Sequence, residues 1–340
     1  MKYFKSSLIV TIIGILCGFL LGFYYDGTII GGLNVAFIVL VLGVMEVSLS
    51  FDNAVVNATV LEDMTIIWRK RFITWGIMIA VFGMRLVFPI LIVTISANLG
   101  PIEAFKLAMF QPENYEKILT NAEPFILAFG GIFLLQIGLK YFMDFEKDVH
   151  WIKIIEKPLI GLGIIPKIEV ILSVVASFIL IMFVNSEIRL GIIIACASSL
   201  ITYFIVELIG NFMESTEKTI EKTIKSGLVL FLYLELLDAS FSFDGVIGAF
   251  ALSNNIFIIM LGLGIGAMFV RSLTIMLVDK GTLTTYKYLE HGAFYAILCL
   301  SLIMLSKEFI KVPEIISGFI GITFIGLSFF HSYLENKKAK

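Results

Sequence analysis

Long apolar runs are the feature that most constrains what this 340-residue chain can fold into. A helix needs about 20 consecutive apolar residues to cross the hydrocarbon core of a membrane. Hydrophobic residues make up 59% of the chain, above the share of about half in soluble globular proteins. We therefore predict an all-α polytopic membrane protein with about ten transmembrane helices. The predicted spans are residues 6–24, 30–60, 72–97, 124–143, 168–185, 190–210, 227–251, 255–278, 293–306 and 312–332.

The lysines and arginines between these runs predict the orientation of the chain. Cytoplasmic loops of membrane proteins carry an excess of both residues. With the N-terminus inside, most of them fall in inner loops, and the outer side keeps Lys106, Lys117, Arg189, Lys307 and Lys311. We expect a multi-pass protein of the cell inner (cytoplasmic) membrane with both termini cytoplasmic.

Two of the apolar runs carry the same acidic motif, first as residues 46–53 (EVSLSFDN) and again as residues 238–245 (DASFSFDG). Insertion scales assign a cost of roughly 2.5–3.5 kcal/mol to a charged residue at the centre of a membrane helix. Acids at that depth therefore usually face a partner, a cavity or a pathway. The duplication predicts that each half of the fold contributes half of one polar site.

The similarity between the two halves extends beyond the motif. The SFD triplets align at an offset of 192 residues, and the following runs align at an offset of 186, which pairs Arg85 with Arg271. Five crossings separate the two motif spans, and an odd number of crossings inverts the second repeat, as in many secondary transporters. We divide the chain into an N-terminal half, 1–166, with the first repeat at about 30–143, and a C-terminal half, 167–340, with the second at about 227–332.

The polar residues of the motif spans form a candidate site for a hard cation. Carboxylate, amide and hydroxyl oxygens are the ligands that Mg²⁺, Ca²⁺ and Mn²⁺ prefer. The acids outnumber the two membrane arginines, which favours a bound cation, although desolvation also favours protonated acids and therefore proton exchange. The predicted metal-handling residues are Glu46, Ser50, Asp52, Asn53, Glu235, Asp238, Ser242 and Asp244, and the predicted charge-balancing residues are Arg85 and Arg271.

The helical geometry of the motif leaves one alternative open. In a straight helix Glu46 and Ser50 share a face, whereas Asp52 points about 120° away because one turn takes 3.6 residues. Either the two motif helices break at Phe51 and Phe243, which would free backbone carbonyls as ligands, or the SFD aspartates face a different partner.

The motif pattern, with an arginine in the span after each motif, resembles the TerC family of integral membrane proteins. That family belongs to a wider superfamily that includes lysine exporters, and the resemblance covers roughly residues 30–143 and 227–332. It implies a role in metal-ion homeostasis, including manganese export, and a link to tellurium-resistance operons. The chain departs from the family pattern at Gly245, where a hydroxyl residue is common, and in an extra pair of spans at 168–210. By resemblance, the metal-handling positions are Glu46, Asp52, Asn53, Asp238 and Asp244.

We expect a transporter that exports a hard divalent cation, with Mn²⁺ as the first candidate and proton antiport as one form of coupling. One alternative is an exporter of an amino acid or another small organic cation. Another is a non-transporting membrane scaffold or assembly factor linked to tellurite or metal stress, in which Arg85 and Arg271 pair with the acids as a structural network. No nucleophile and base stand out together, so we do not expect an enzyme.

The remaining sequence features concern partners and the inner loops. No basic footprint for nucleic acid and no Cys/His spacing typical of zinc is visible. We therefore predict no tightly bound cofactor and no nucleic-acid partner. The predicted partners are membrane lipid, the transported ion (Mn²⁺, with Ca²⁺ or Mg²⁺ as alternatives) and a second copy or a membrane partner protein. The inner segment 144–167 mixes Trp151 with isoleucines and lysines, which indicates an interfacial helix. We interpret it as an inert connector, with a regulatory role as the alternative.

Overall fold

The computed structural model of the protein is helical, without β-strands, in the residues that it describes. Those residues are 2–76, 78–145, 147–215, 220–310 and 312–338. Within these ranges the description does not extend to the side chains of Ile73, residues 210–226, Phe243, Asp244, Glu314, Ile315 and Ser317.

The described chain consists of α-helices and two π-helical segments, joined by short connections. The first part forms α1 (Lys5–Asp26), α2 (Ile29–Leu49), α3 (Phe51–Glu62), α4 (Ile66–Arg71), π1 (Phe72–Gly76), π2 (Ile79–Val87), α5 (Phe88–Ser96), α6 (Pro101–Phe110) and α7 (Pro112–Phe142). The second part forms α8 (Lys153–Leu162), α9 (Ile168–Phe183), α10 (Arg189–Ser215), α11 (Ile220–Ala249), α12 (Ile256–Asp279), α13 (Thr282–Thr285), α14 (Leu289–Ser306) and α15 (Glu314–Lys338).

Seven helical stretches of the described chain are long and apolar enough to cross a membrane. They are α1, α2, π2 together with α5, α7, most of α10, α12 and α14. Helix α9 is apolar but has 16 residues. The predicted spans at 227–251 and 312–332 overlap α11 and α15. The prediction of an all-α polytopic membrane protein is confirmed. The count of about ten spans and the orientation stay predictions.

The chain forms two compact units, each built from segments that are not consecutive in sequence. The first unit comprises Met1–Ala54, Arg69–Glu123 and Phe241–Met276. The second comprises Val55–Trp68, Pro124–Ser240 and Leu277–Lys340. Each unit takes segments from both halves of the sequence, and the division at residue 166 stays a prediction.

In the first unit, glycines allow α12 to approach α2 closely. Gly262 and Gly266 lie about one turn apart on α12, the small-xxx-small spacing typical of membrane helix contacts. A Cβ atom at Gly262 would lie 2.4 Å from Leu42 Cβ, and one at Gly266 would lie 2.4 Å from Glu46 Cβ. Helix α12 therefore packs directly on the helix that begins the first acidic motif.

Helix α1 completes this packing by running back along α2. It ends at Asp26, and the next residue, Gly27, has a φ of 68°, the left-handed conformation that closes many helices. Near its start, the Ser7 hydroxyl donates a hydrogen bond to the Met268 carbonyl (2.9 Å) and pairs with the Ser272 hydroxyl (2.7 Å). These buried bonds join α1 to α12.

The second unit uses the same kind of contact between α7, α14 and α15. A Cβ atom at Gly138 on α7 would lie 2.5 Å from Leu298 Cδ2 on α14. On the other side of α14, a Cβ atom at Gly292 would lie 2.7 Å from the Phe324 carbonyl oxygen on α15. Helix α14 therefore packs between α7 and α15.

The substitution Gly262→Ala tests the close contact between α2 and α12. We expect it to lower the free energy of unfolding by about 1–3 kcal/mol, because the added methyl group would overlap Leu42. Gly326→Ala is the matched control, since a Cβ atom there meets nothing within 4 Å and a helical alanine gains about 0.5–1 kcal/mol over glycine. Thermal unfolding in detergent measures both. Equal stability of the two variants would contradict the packing.

Candidate functional site

The first acidic motif contributes a buried ion pair to the first unit. Glu46 and Arg85 are each 2% exposed, and Arg85 Nη2 donates a hydrogen bond to Glu46 Oε1. Removing charges from water is costly, and an isolated buried charge costs several kcal/mol more than a paired one. The Arg85 guanidinium therefore neutralises the Glu46 carboxylate among apolar helices.

Arg85 reaches Glu46 from π2, a helix type that occurs mostly as short segments and often at functional sites. Its Nη1 donates to the Ala80 carbonyl on the same segment. Its Nε atom is buried and has no hydrogen-bond partner in the described chain. The guanidinium is thus paired but incompletely satisfied, which lowers the cost of moving it.

Glu46 also lies where the two motifs meet. The Ser50 hydroxyl donates to Glu46 Oε1 over 3.2 Å. On the opposite side, a Cβ atom at Gly245 of the second motif would lie 3.0 Å from Glu46 Oε2. Gly245 therefore does more than omit a hydroxyl ligand, because the missing side chain leaves space for the Glu46 carboxylate.

The two motif helices differ in continuity. Helix α2 ends at Leu49, Ser50 has φ −104° and ψ 21°, and α3 begins at Phe51. In contrast, α11 continues unbroken through Phe243. At the interruption, the Glu46 and Ser50 carbonyls accept from Ser50 N (2.9 Å) and Ala54 N (3.3 Å).

Asp52 and Asn53 follow the interruption and are buried in the first turn of α3. Asp52 Oδ1 accepts from the Asn53 backbone N–H over 3.0 Å. A carboxylate in the first turn also interacts favourably with the positive end of the helix dipole. The α3 N-terminus thus stabilises Asp52 locally.

The polar groups of the second motif are divided between the two compact units. Ser242 lies in the first unit with Glu46, is buried, and has a hydroxyl group without a hydrogen-bond partner in the described chain. Glu235 and Asp238 are buried on the part of α11 that belongs to the second unit. The side chain of Asp244 lies outside the description.

Arg271 contacts the first residue of π1. It is buried on α12, and its Nη1 donates to the Phe72 carbonyl over 3.2 Å. Its guanidinium carbon also lies 4.2 Å from the centre of the Phe72 ring, a cation–π contact. Phe72, the first residue of π1, is a site residue that the motif comparison missed, because only spatial proximity relates it to Arg271.

No group of three or more His, Cys, Asp and Glu residues in the described chain, which leaves out the Asp244 side chain, is arranged to hold a metal ion. What the geometry brings together is Glu46, Ser50 and Arg85, with Gly245 and Gly266 beside them. Metal handling by the predicted residues stays a prediction.

The substitution Arg85→Gln tests the buried ion pair. We expect it to lower the free energy of unfolding by about 3–5 kcal/mol, because it leaves the Glu46 carboxylate buried without its counter-ion. The double variant Glu46→Gln with Arg85→Gln should recover most of that loss. Lys287→Gln breaks the half-exposed pair with Glu335 and should cost less than about 1 kcal/mol. Similar losses in Arg85→Gln and Lys287→Gln, measured by thermal unfolding, would argue against a buried pair.

Comparison with known proteins identifies one family. No curated protein and no solved structure matches the chain. The family model described as "Protein of unknown function (DUF475)" matches residues 51–339. This match contains the second SFD triplet, Phe51 and Asp52 of the first, and both membrane arginines, while Glu46 and Ser50 lie just before it. The chain therefore belongs to the DUF475 family.

Proposed function

We propose that the protein is a membrane transporter that exports a hard divalent metal cation, with Mn²⁺ as the first candidate cargo. The observation that carries the proposal is the buried Glu46 carboxylate, which already binds a positive charge, the Arg85 guanidinium. It does so beside Ser50 of the first motif and Gly245 of the second. A cation site at this point would be shared by the two inverted repeats, as in many secondary transporters.

The Arg85 guanidinium acts in this proposal as an internal counter-ion that cargo replaces. In both states a cation lies beside Glu46, either Arg85 or the cargo, so the buried carboxylate is never left unpaired. The free Nε atom of Arg85 lowers the cost of withdrawing the guanidinium. Exchange of one cation for another gives the site two states, which alternating access requires.

Oxygen ligands of the motif helices would complete the cargo site. Glu46 and Ser50 are in contact, and the unpartnered Ser242 hydroxyl offers a further oxygen in the same unit. Hard oxygen ligands suit Mn²⁺, Mg²⁺ and Ca²⁺, and the resemblance to the TerC family favours Mn²⁺. Further proposed ligands or proton carriers are Asp52, Asn53, Glu235, Asp238 and Asp244, with Arg271 as a second counter-ion.

We also propose where the protein lies and how export is coupled to another ion. The protein would lie in the inner membrane with both termini cytoplasmic, without a resident cofactor, alone or as a homo-oligomer. Protonation of an acid is the second way to neutralise it inside the membrane, so proton antiport is the proposed coupling.

A second candidate cargo is a small organic cation. The group that Glu46 holds in the structure is a guanidinium, the cationic group of arginine itself. A site that accepts this group from Arg85 would also accept it from a free amino acid. Competition by amino acids therefore separates this candidate from the metal.

Flux of Mn²⁺ in sealed vesicles that contain the purified protein tests the proposed function. We expect the wild type to move Mn²⁺ and Glu46→Gln to lose at least about 90% of the rate, since an amide cannot replace a carboxylate ligand. Glu187→Gln removes an exposed acid and should leave the rate unchanged.

The competitors in the same assay rank the candidate cargoes. Inhibition by Ca²⁺ or Mg²⁺, but not by arginine or lysine, supports a metal carrier. Inhibition by the amino acids favours the organic cation. Folded protein that moves none of these solutes would contradict transport and favour the membrane scaffold.

A further inference from the structure

All three histidines of the chain meet at one short segment. We call this segment, residues 147–156, the strap. His150 lies within it, His291 on α14 contacts it at Val149, and His331 on α15 contacts it at Trp151. Histidine is the side chain whose charge changes most readily between pH 5 and pH 8. The convergence argues against an inert connector.

A buried carboxylate holds the strap in place. Glu156 is 1% exposed and accepts hydrogen bonds from the backbone N–H groups of Trp151 (3.2 Å) and Ile152 (3.1 Å). It also accepts from the Tyr295 hydroxyl on α14 over 3.2 Å. Glu156 therefore folds the strap on itself and docks it on α14.

His150 is the group beside Glu156 that can take up a proton. Its Nδ1 is buried 3.7 Å from Glu156 Oε2, while 22% of the side chain is exposed to solvent. The same Nδ1 has no hydrogen-bond partner in the described chain. A proton on His150 would turn this long contact into a charge-assisted hydrogen bond, which is about twice as strong as a neutral one.

His291 also faces Glu156, but its ring nitrogens already have partners. Nε2 lies 2.8 Å from the Val149 carbonyl, which can only accept, so this nitrogen carries the hydrogen. Nδ1 then accepts from the Tyr141 hydroxyl at 3.2 Å. Both bonds use the neutral ring, and its Nε2 is 3.5 Å from Glu156 Oε2. His291 thus positions the strap without taking up a further proton.

Lys147 is the nearby cation, and its Nζ lies 3.4 Å from the centre of the Tyr141 ring. Burial lowers the pKa of Lys147 to about 8, and the negative charges of Glu156, Glu290 and Asp144 partly oppose this shift. A lowered pKa confines any stability change from this lysine to the pH range between about 8 and its ordinary value. Lys147 therefore stays mostly protonated up to about pH 7.5.

We propose that His150 and Glu156 form a proton-binding site on the predicted cytoplasmic side, and that proton uptake there tightens the docking of the strap on α14. Docking is strongest at acidic pH, where the imidazolium faces the buried carboxylate, and weakens as His150 loses its proton. The site links cytoplasmic acidity to a helix of the second repeat.

The hydrogen bond between Trp151 and His331 responds to protonation in the opposite way, because a proton on the histidine breaks it. It therefore supplies the control. Trp151 Nε1 can only donate, and it donates to His331 Nδ1 over 2.9 Å, which requires an unprotonated nitrogen. His331 is exposed, so water replaces this bond at little cost when His331 is protonated. Glu335 and the Tyr288 ring are the other groups near His331.

Hydrogen exchange of the full-length protein in detergent, between pH 5.5 and pH 7.5, tests the proposal. After correction for intrinsic exchange rates, we expect the Trp151 and Ile152 amides to be about five-fold better protected at pH 5.5, the factor that corresponds to a gain of about 1 kcal/mol. His150→Gln, which keeps a neutral donor, should abolish the pH dependence. His331→Gln should retain it.

The outcomes separate this proposal from transport, because no cargo is needed for the measurement. Equal protection at both pH values in the wild type would overturn it. A pH dependence that survives in His150→Gln would also overturn it and would assign the proton to another group. Unchanged protection around Gly262 and Gly266 in each variant confirms that the fold is intact.

Discussion

A carboxylate that is buried among apolar helices needs a cation beside it, and this requirement organises the first unit. Arg85 supplies that cation for Glu46, and the close packing around Glu46 makes room for the pair. Gly266 lets α12 approach Glu46, and Gly245 leaves space for the second carboxylate oxygen. An unpaired buried charge costs several kcal/mol. The ion pair and the two glycines that make room for it therefore depend on one another. In the proposed transporter, cargo meets the same requirement when Arg85 withdraws.

The apolar runs were sufficient to predict an all-α membrane protein, because the length of a run and the thickness of a bilayer determine a spanning helix. The acidic motif and the membrane arginines were also recognisable from the sequence, because charged residues are rare inside a membrane. The sequence could not predict which acid pairs with which arginine, or that Gly245 lies against Glu46. These contacts join residues far apart in the chain, and they follow from helix packing rather than from local patterns.

The strap illustrates the same limit more strongly. Its isoleucines and lysines are typical of an interfacial helix, and that pattern hides the buried Glu156 at its end. His291 and His331 lie 142 and 180 residues from the strap residues that they contact. Histidine spacing in the sequence therefore indicated no cluster. Only the packing of α14 and α15 brings these side chains to one segment.

The central claim is that Glu46 exchanges its internal cation for a divalent one, and thermal unfolding of Arg85→Gln with and without Mn²⁺ tests it most directly. A ligand that binds the folded state raises its stability in proportion to the logarithm of ligand concentration. We predict that Mn²⁺ raises the unfolding temperature of Arg85→Gln more than that of the wild type, and that it has no such effect when Glu46→Gln is added. An equal response of Arg85→Gln and the wild type, or no response in either, would contradict the account.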